Sequence, residues 1–345
     1  MSTSMRTYIV RRLLLIIPVL IGVTILIFAI TQLFSPVERA SLYIRDPRQA
    51  KDLSSIIKKY GLDLPVYIQY FRWIDQVLHG NLGWSESTHM PVLKALITHF
   101  PATAELALYA APLTIIIGIL LGKLAAIKKD TAVDHATRIM AIIGWSLPSF
   151  WLGIMLLAIF YGGLGIFSPG RLSTWAENLV LSGEFKVYTG LYTIDAILNL
   201  NGAVLLDALS HLALPVTTLV TINIALLMRI MRSSMLEQLN KTYVIAARAR
   251  GLKWKTVINK HATKNALISV VTISGLLTAG MLSGMVITET VFEFKGIGYW
   301  AAHAATQLDI PAVLGFALFA GTIFVIANLI VDILYAYIDP RIRLG

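Results

Sequence analysis

Hydrophobic and polar positions divide the chain into six long apolar runs separated by polar intervals. The runs lie near residues 13–34, 103–127, 139–162, 212–231, 267–289 and 313–337. A hydrocarbon core about 30 Å thick needs ~20 helical residues to cross it, and each run reaches that length. The pattern predicts an all-α membrane protein with six transmembrane helices. The first run carries Pro18, which a membrane helix tolerates as a kink. Gly118 and Gly122 in the second run, and Gly280 and Gly284 in the fifth, have the spacing of small residues that lets helices pack closely.

One interval departs sharply from this apolar rhythm. Between Arg229 and Ala266, nine basic residues (Arg229, Arg232, Lys241, Arg248, Arg250, Lys253, Lys255, Lys260 and Lys264) accompany a single acid, Glu237. Gly251 is expected to divide the interval into two short helices by supplying a left-handed turn. Beyond it, Trp254, Val257, Ile258 and His261 fall at i, i+3, i+4 and i+7, one face of a helix, with Lys253, Lys260 and Lys264 on another. A basic helix with an aromatic stripe suits either an anionic lipid surface or a groove on a partner protein. Two other polar stretches are longer. Residues 35–102 show helix-like patterning around 50–60 and 65–78, and residues 163–211 are rich in Gly, Asn and aromatics. Either could contact an external partner or simply cover the helices.

Composition agrees with a membrane protein: 57% of residues are hydrophobic and 14% charged. The net charge of +10 does not point to nucleic acid, because the basic residues gather beside apolar spans, where they set topology and meet lipid headgroups. Six spans put both termini on one side. With the N-terminus in the cytoplasm, 18 of the 29 basic residues lie inside, and the long outer loops count least in this bias. The basic interval and both termini are therefore expected in the cytoplasm. Arg6, Arg11 and Arg12 before an apolar run resemble a signal sequence. The run continues to about Phe34 with no small-residue cleavage pattern, so a retained first span is expected. The absence of cysteine excludes disulfides, a thiol nucleophile and thiolate metal sites.

Enzyme signatures are missing. Gly118-x-x-x-Gly122-Lys123 superficially resembles a phosphate loop, but it has one intervening residue too few and Leu124 where a magnesium-binding hydroxyl is needed. The seven histidines are dispersed without metal-ligand spacing, and no G-x-S-x-G occurs. Polar residues inside the runs are costly in lipid and so are the next candidates. Thr217, Thr218, Thr221 and Asn223 make the fourth run hydroxyl-rich, and Asn328 and Asp332 mark the sixth. Of these, Thr217, Thr221, Asn223 and Asn328 are candidates to line a pathway, or they form interhelical hydrogen bonds. No paired carboxylates suggest a proton relay, which weighs against an ion-coupled secondary carrier. Glu289 and Glu293, one turn apart at the outer end of the fifth run, are expected to face water or cap the bundle.

Several motifs in order carry a specific resemblance. Met228, Arg229, Arg232, Ser233, Ser234, Met235, Leu236 and Glu237 are followed by Tyr243, Val244, Ala247, Arg248, Ala249, Gly251 and Leu252, and then by His261, Ala262, Asn265 and Ala266. This interval resembles the cytoplasmic coupling loop of ABC importer permeases of the oligopeptide, dipeptide and nickel branch. The likeness extends to Tyr8–Pro18, to Gly61-Leu62-Asp63-x-Pro65 and Gly80-Asn81-Leu82-Gly83, to Glu289-Thr290-Val291-Phe292 with Gly296-x-Gly298, and to Asp339-Pro340-Arg341-Ile342-Arg343. The chain departs from the general loop pattern E-A-A-x3-G-x9-I-x-L-P: Ile245 stands for the Glu, His261, Thr263 and Lys264 stand at the later positions, and Ser269 replaces a proline common in this branch.

The resemblance implies a type I ABC importer permease fold with an extracytoplasmic segment between helices 1 and 2. It implies half of a translocation pathway for di- or oligopeptides in a prokaryotic plasma membrane, with oligosaccharide or nickel as alternative cargo. A second homologous permease, two cytoplasmic ATP-binding subunits carrying ATP and magnesium, and an external solute-binding protein are the implied partners, and the chain itself would hold no cofactor. ATPase coupling would fall to Tyr243, Ala246, Ala247, Arg248, Ala249, Gly251, Leu252, Trp254, His261 and Asn265. The small alanines would permit close approach, Gly251 would set an elbow, and Leu252 and Trp254 would anchor in a groove. The expected organisation is an N-terminus and first span (1–34), an extracytoplasmic segment (35–102), a core of spans two to six (103–337) containing the outer loop 163–211 and the coupling loop 232–266, and a cytoplasmic tail (338–345).

Overall fold

The computed structural model describes residues 5–44 and 53–338. The start of the expected helix at residue 50, the terminal Asp339–Arg343 motif and the tail beyond 338 lie outside the described residues. Sixteen helices are described in chain order: α1 (Met5–Thr31), α2 (Pro36–Ala40), α3 (Leu53–Tyr60), α4 (Val66–Leu78), α5 (Val92–Ile127), α6 (Ala132–Ser146), α7 (Ser149–Leu156), α8 (Thr174–Leu181), α9 (Tyr192–Leu198), α10 (Gly202–Leu239), α11 (Thr242–Ala249), α12 (Trp254–Thr256), α13 (Thr263–Leu282), α14 (Val286–Val291), α15 (Ile297–Thr306) and α16 (Ile310–Ile338). Residues 157–163 and 257–262 are wider π-helical segments. The two strands described, β1 (Trp84–Ser85) and β2 (Met90–Pro91), form a short antiparallel pair.

Five helical stretches among the described residues are long and apolar enough to span a membrane, and a sixth crossing results if one bent pair counts as a span. That pair is the third predicted run. Instead of one helix over 139–162, Ala132–Ser146 and Ser149–Gly163 meet at 98°. Pro148 is the cause: it has no N–H to donate and holds Leu147 in an extended conformation (φ −80°, ψ 126°). The fifth run also ends early. α13 stops at Leu282, and Gly284, at φ +111°, turns the chain into the separate α14. In contrast, α5 and α10 extend well beyond their apolar runs, to 36 and 38 residues. Hydropathy marks only the lipid-matching part of such a helix.

α5 and α10 run parallel and pack along their lengths. At one end Ala102, Leu106 and Ala110 meet Leu212, Leu214 and Leu219. At the other, Ala126 meets Leu227, Met231 and Met235. Gly118 and Gly122 make the contact close: a Cβ at Gly118 would lie 2.8 Å from the Leu227 Cβ, and one at Gly122 would lie 2.7 Å from the Met231 Cβ. The expectation for Gly280 and Gly284 does not hold. Gly280 has no neighbour where a Cβ would point, and Gly284 lies past the helix end. The close approach of α13 falls instead at Gly275, against Val331 of α16.

α1 lies antiparallel to α16, with Arg12 Nη1 3.0 Å from Asp332 Oδ2 near one end. The topology puts this pair, the turn after α5 and the stretch between α10 and α13 on one side. On the far side, α2–α4 gather around Ile27 and Phe28 of α1 through Tyr43, Ile44, Ile56, Leu62 and Trp73. There too, α8 and α9 pack with Leu172, Phe185, Val204 and Ala208 in a small core of their own.

Leucine at position 122 is expected to overpack the α5–α10 contact, costing about 1–3 kcal/mol or more. Gly280→Ala meets no neighbour and gains up to about 1 kcal/mol of helix propensity. Thermal unfolding of the two purified variants should therefore move in opposite directions.

Candidate functional site

The basic interval folds as a handle continuous with two long helices. α10 runs without interruption to Leu239, and α13 is entered directly from α12 and the π-helical segment Val257–Ala262. Between them lies α11, and Gly251 adopts φ +79°, a conformation that disfavours any side chain. The inner surface of the handle is tied down. Val244, Ala247 and Val257 pack together with Tyr243, whose hydroxyl donates to Gln238 Oε1 at 2.8 Å. Ile258, Ala262 and Ala266 join Met231 and Met235 of α10 and Ala126 of α5. Lys123 Nζ of α5 donates to Asn259 Oδ1 at 2.7 Å.

The outer surface is different in kind. Ile245, Leu252 and Trp254 are 62%, 42% and 43% exposed, and the Arg248 guanidinium stacks 5.0 Å above the Trp254 ring. Ala246 and Ala249 also face outward, whereas Ala247 is buried, so the alanines do not share one approach surface. His261 is half-buried, and Asn265 Nδ2 donates back to its carbonyl at 3.1 Å. The single helix face expected for Trp254, Val257, Ile258 and His261 is split, with Val257 and Ile258 inward and Trp254 outward. The π-helical widening at 257–262 alters the residue-per-turn register on which the i, i+3, i+4 pattern depends.

A buried ion pair anchors the root of the handle. Arg232 Nε and Nη2 donate to the two carboxylate oxygens of Asp134 at 2.7 and 2.6 Å. Asp134 is fully buried in the first turn of α6, and its Oδ2 also accepts the Asp130 N–H at 3.1 Å. The basic count and the loop motif both include Arg232 but give no partner for it. The signal available was Thr131-x-x-Asp134, a capping-box spacing that marks Asp134 as an N-terminal helix acid.

The polar residues of the fourth run do not bond between helices. Thr217 and Thr221 hydroxyls donate to the carbonyls of Ala213 and Thr217, each at 2.7 Å, and Asn223 Nδ2 donates to Leu219 O at 2.8 Å, all four residues back along α10. Asn328 stands apart from them, in a groove lined by Arg12, Leu15, Ile16, Val19 and Asp332, to which α10 contributes nothing. Asp332 itself makes the interhelical contact with Arg12 described above.

The expectation for Glu289 is overturned. It is fully buried, accepting from Thr103 Oγ1 (2.8 Å), Met285 N (3.1 Å) and Tyr299 N (2.9 Å), while Glu293 is exposed. Burial pushes the Glu289 carboxyl up, and these donors oppose the shift. The reason is local: α13 ends before it, and the Gly296-x-Gly298 turn folds back so that a Cβ at Gly298 would touch the carboxylate. Glu105 is likewise buried on α5, bonded to Arg171 Nη2 at 2.7 Å and to the backbone and hydroxyl of Thr193 at 2.8 Å. Arg171 stacks on Tyr192, 4.0 Å from its ring centre. Both carboxylates sit on the far side and hold loops to α5.

Among the described residues, no cluster of His, Cys, Asp or Glu could hold a metal ion. What the arrangement offers is mechanical: a rigid outward knob, apolar and cationic, fixed to the ends of long helices. Residues 114–344 match the binding-protein-dependent transport system inner membrane component, and residues 5–107 match the N-terminal component of such systems. The chain belongs to this family. It is thus a multi-pass membrane permease subunit of the bacterial ABC importers and not an enzyme, since hydrolysis of ATP resides in partner subunits. The family implies ATPase, substrate-binding and second permease partners.

Curated relatives match over nearly the full length. The permease is 42% identical to the "Probable D,D-dipeptide transport system permease protein DdpB" of Escherichia coli, covering 95% of this chain and 94% of the relative. It is 38% identical to the di/tripeptide transport system permease protein DppB of Pseudomonas aeruginosa (98% and 99% covered). It is 34% identical to the oligopeptide transport system permease protein AppB of Bacillus subtilis (98% and 100%).

Arg232→Met should leave the Asp134 carboxylate without its arginine and destabilise the permease by about 1–3 kcal/mol, because the arginine end of the pair is partly exposed. Combining it with Asp134→Leu should recover most of the loss. Thermal unfolding in detergent of the single and double variants checks this.

Proposed function

We propose that this permease forms half of the pathway of a peptide importer and that its 240–262 handle is the seat of a cytoplasmic ATPase. The observation that carries the reading is the two-sidedness of the handle. Its inner residues Val244, Ala247 and Val257 pack on one another and Ile258 packs with Met231 and Met235 at the end of α10, while Ile245, Leu252 and the Arg248–Trp254 stack are presented outward. A helix docking into a groove needs such apolar anchors with flanking charge. ATP and magnesium belong to the docked subunit. Closure of that subunit would move the handle as a rigid body and tilt α10 and α13 with it. This reading puts the handle and both chain ends in the cytoplasm, and the segments 35–102 and 163–211 outside, where a solute-binding protein delivers cargo.

Peptides as cargo rest on the relatives, all three of which are named for peptide transport. Within the pathway, Thr217 and Thr221 are the lining residues we favour. They occupy one face of α10 toward the bend of α6, where a Cβ at Gly144 would lie 2.8 Å from the Thr221 carbonyl oxygen. Their hydroxyls spend their protons on α10 itself and so present acceptor lone pairs without interhelical bonds. The peripheral Asn328 is the weaker member of that set.

Gly251→Pro and Trp254→Glu should each lower substrate-stimulated ATP hydrolysis at least about tenfold in the reconstituted importer, an energetic loss of about 1.4 kcal/mol or more. Normal stimulation in both variants would reject the docking role. Uptake of labelled di- and oligopeptides, compared with nickel and oligosaccharides, tests the cargo. Accumulation by this permease alone under an ion gradient would contradict the whole reading.

A further inference from the structure

We propose that α4 is an interfacial helix that rides in the lipid leaflet on the side away from the handle, with its Tyr67–Phe71–Leu78 stripe immersed among headgroups and upper acyl chains. α4 has three faces. Gln69, Tyr70, Trp73 and Val77 point inward, toward Phe28 of α1 and the small core around it. Arg72, Asp75 and His79 form an exposed polar face. Between these two lies an exposed apolar stripe: Tyr67, Phe71 and Leu78 are 66%, 66% and 79% exposed. These three positions follow i, i+4 and i+11 and fall within about 40° of arc, with Ile74, half-buried against the core around Phe28, at the inner edge of the stripe. A helix lying in a membrane interface requires that arrangement.

Depth supports the same occupant. Tyr70 Oη lies 2.9 Å from Thr24 Oγ1, and Phe28 packs edge-on against the Tyr70 ring, 5.3 Å between centres. Thr24 is seven residues inside the end of α1 at Thr31, on the order of 10 Å along the helix axis. Interfacial helices bury their apolar faces ~5–10 Å below the headgroup boundary. α1 is itself a lipid-facing span: Ile21, Ile25, Leu26 and Ile30 are exposed along it. The α4 stripe continues that apolar surface sideways, and its tyrosine and phenylalanine are suited to the interface. Arg72, on the polar face, stands where lipid phosphates would lie.

The chain has no cysteine, so a single introduced cysteine is the one labelling site in this subunit, and the partner subunits are used with their own cysteines replaced. Phe71→Cys, Tyr67→Cys and Leu78→Cys would each be labelled in the complete importer in nanodiscs of phosphatidylethanolamine and phosphatidylglycerol. Leu26→Cys on α1 and Asp75→Cys on the polar face of α4 serve as lipid and water references. Power saturation against oxygen and a soluble nickel chelate should give stripe labels an oxygen-to-nickel ratio close to that of Leu26 and severalfold above that of Asp75. Stripe labels as nickel-accessible as Asp75 would overturn the proposal in favour of an aqueous face. Stripe labels shielded from both reagents would overturn it in favour of a partner protein.

Discussion

The close passage of α5 and α10 is the constraint on which the rest of this permease depends. Without side chains at Gly118 and Gly122, the two helix backbones approach until Leu227 and Met231 sit directly over the gap. Inside a membrane there is little hydrophobic gain from bringing helices together, so such van der Waals fit supplies much of the association. The contact fixes the orientation of α10, and α10 carries the handle. In the proposed docking, a small displacement at the handle would become a tilt of α10, because helix and handle share one packed root at Met231, Met235, Ile258 and Ala262.

Charge is placed to reinforce that lever at both ends. Near the handle, the fork of Arg232 grips Asp134 and ties α10 to the first turn of α6. On the far side, Glu105 and Glu289 collect donors from loops that are distant in sequence and bind them to α5. Asp134 and Glu105 are buried and paired with arginines, and Glu289 is buried among neutral donors, so each carboxyl has its hydrogen bonds met in one arrangement of the surrounding elements. The bend at Pro148 interrupts α6 and α7 beside α10 and turns the two helices 98° from one another.

Much of this is legible in the sequence, and each exception has its own physical cause. Apolar runs reveal spans because lipid imposes a length and a composition, and the Gly251 elbow was legible because only glycine is at ease at φ +79°. The bend at Pro148 is hidden because hydropathy averages over it. The burial of Glu289 and Asp134 is not legible because it depends on donors from remote segments, Thr103 and Tyr299 in one case and Arg232 in the other. The helix face beyond Trp254 failed because its 3.6-residue period gives way to a wider turn at Val257. Periodicity reads local geometry well, but tertiary partners lie beyond it.

The central claim is that handle and α10 move as one body. Spin labels at Lys255→Cys in the handle, an exposed position outside the docking anchors, and Leu206→Cys near the opposite end of α10, on the order of 50 Å away, would measure it in the assembled importer. The account predicts one narrow distance distribution that is the same without nucleotide and with ATP trapped on the partner subunits. A distribution that shifts or splits between the two states would show the handle swinging independently of α10 and would contradict it.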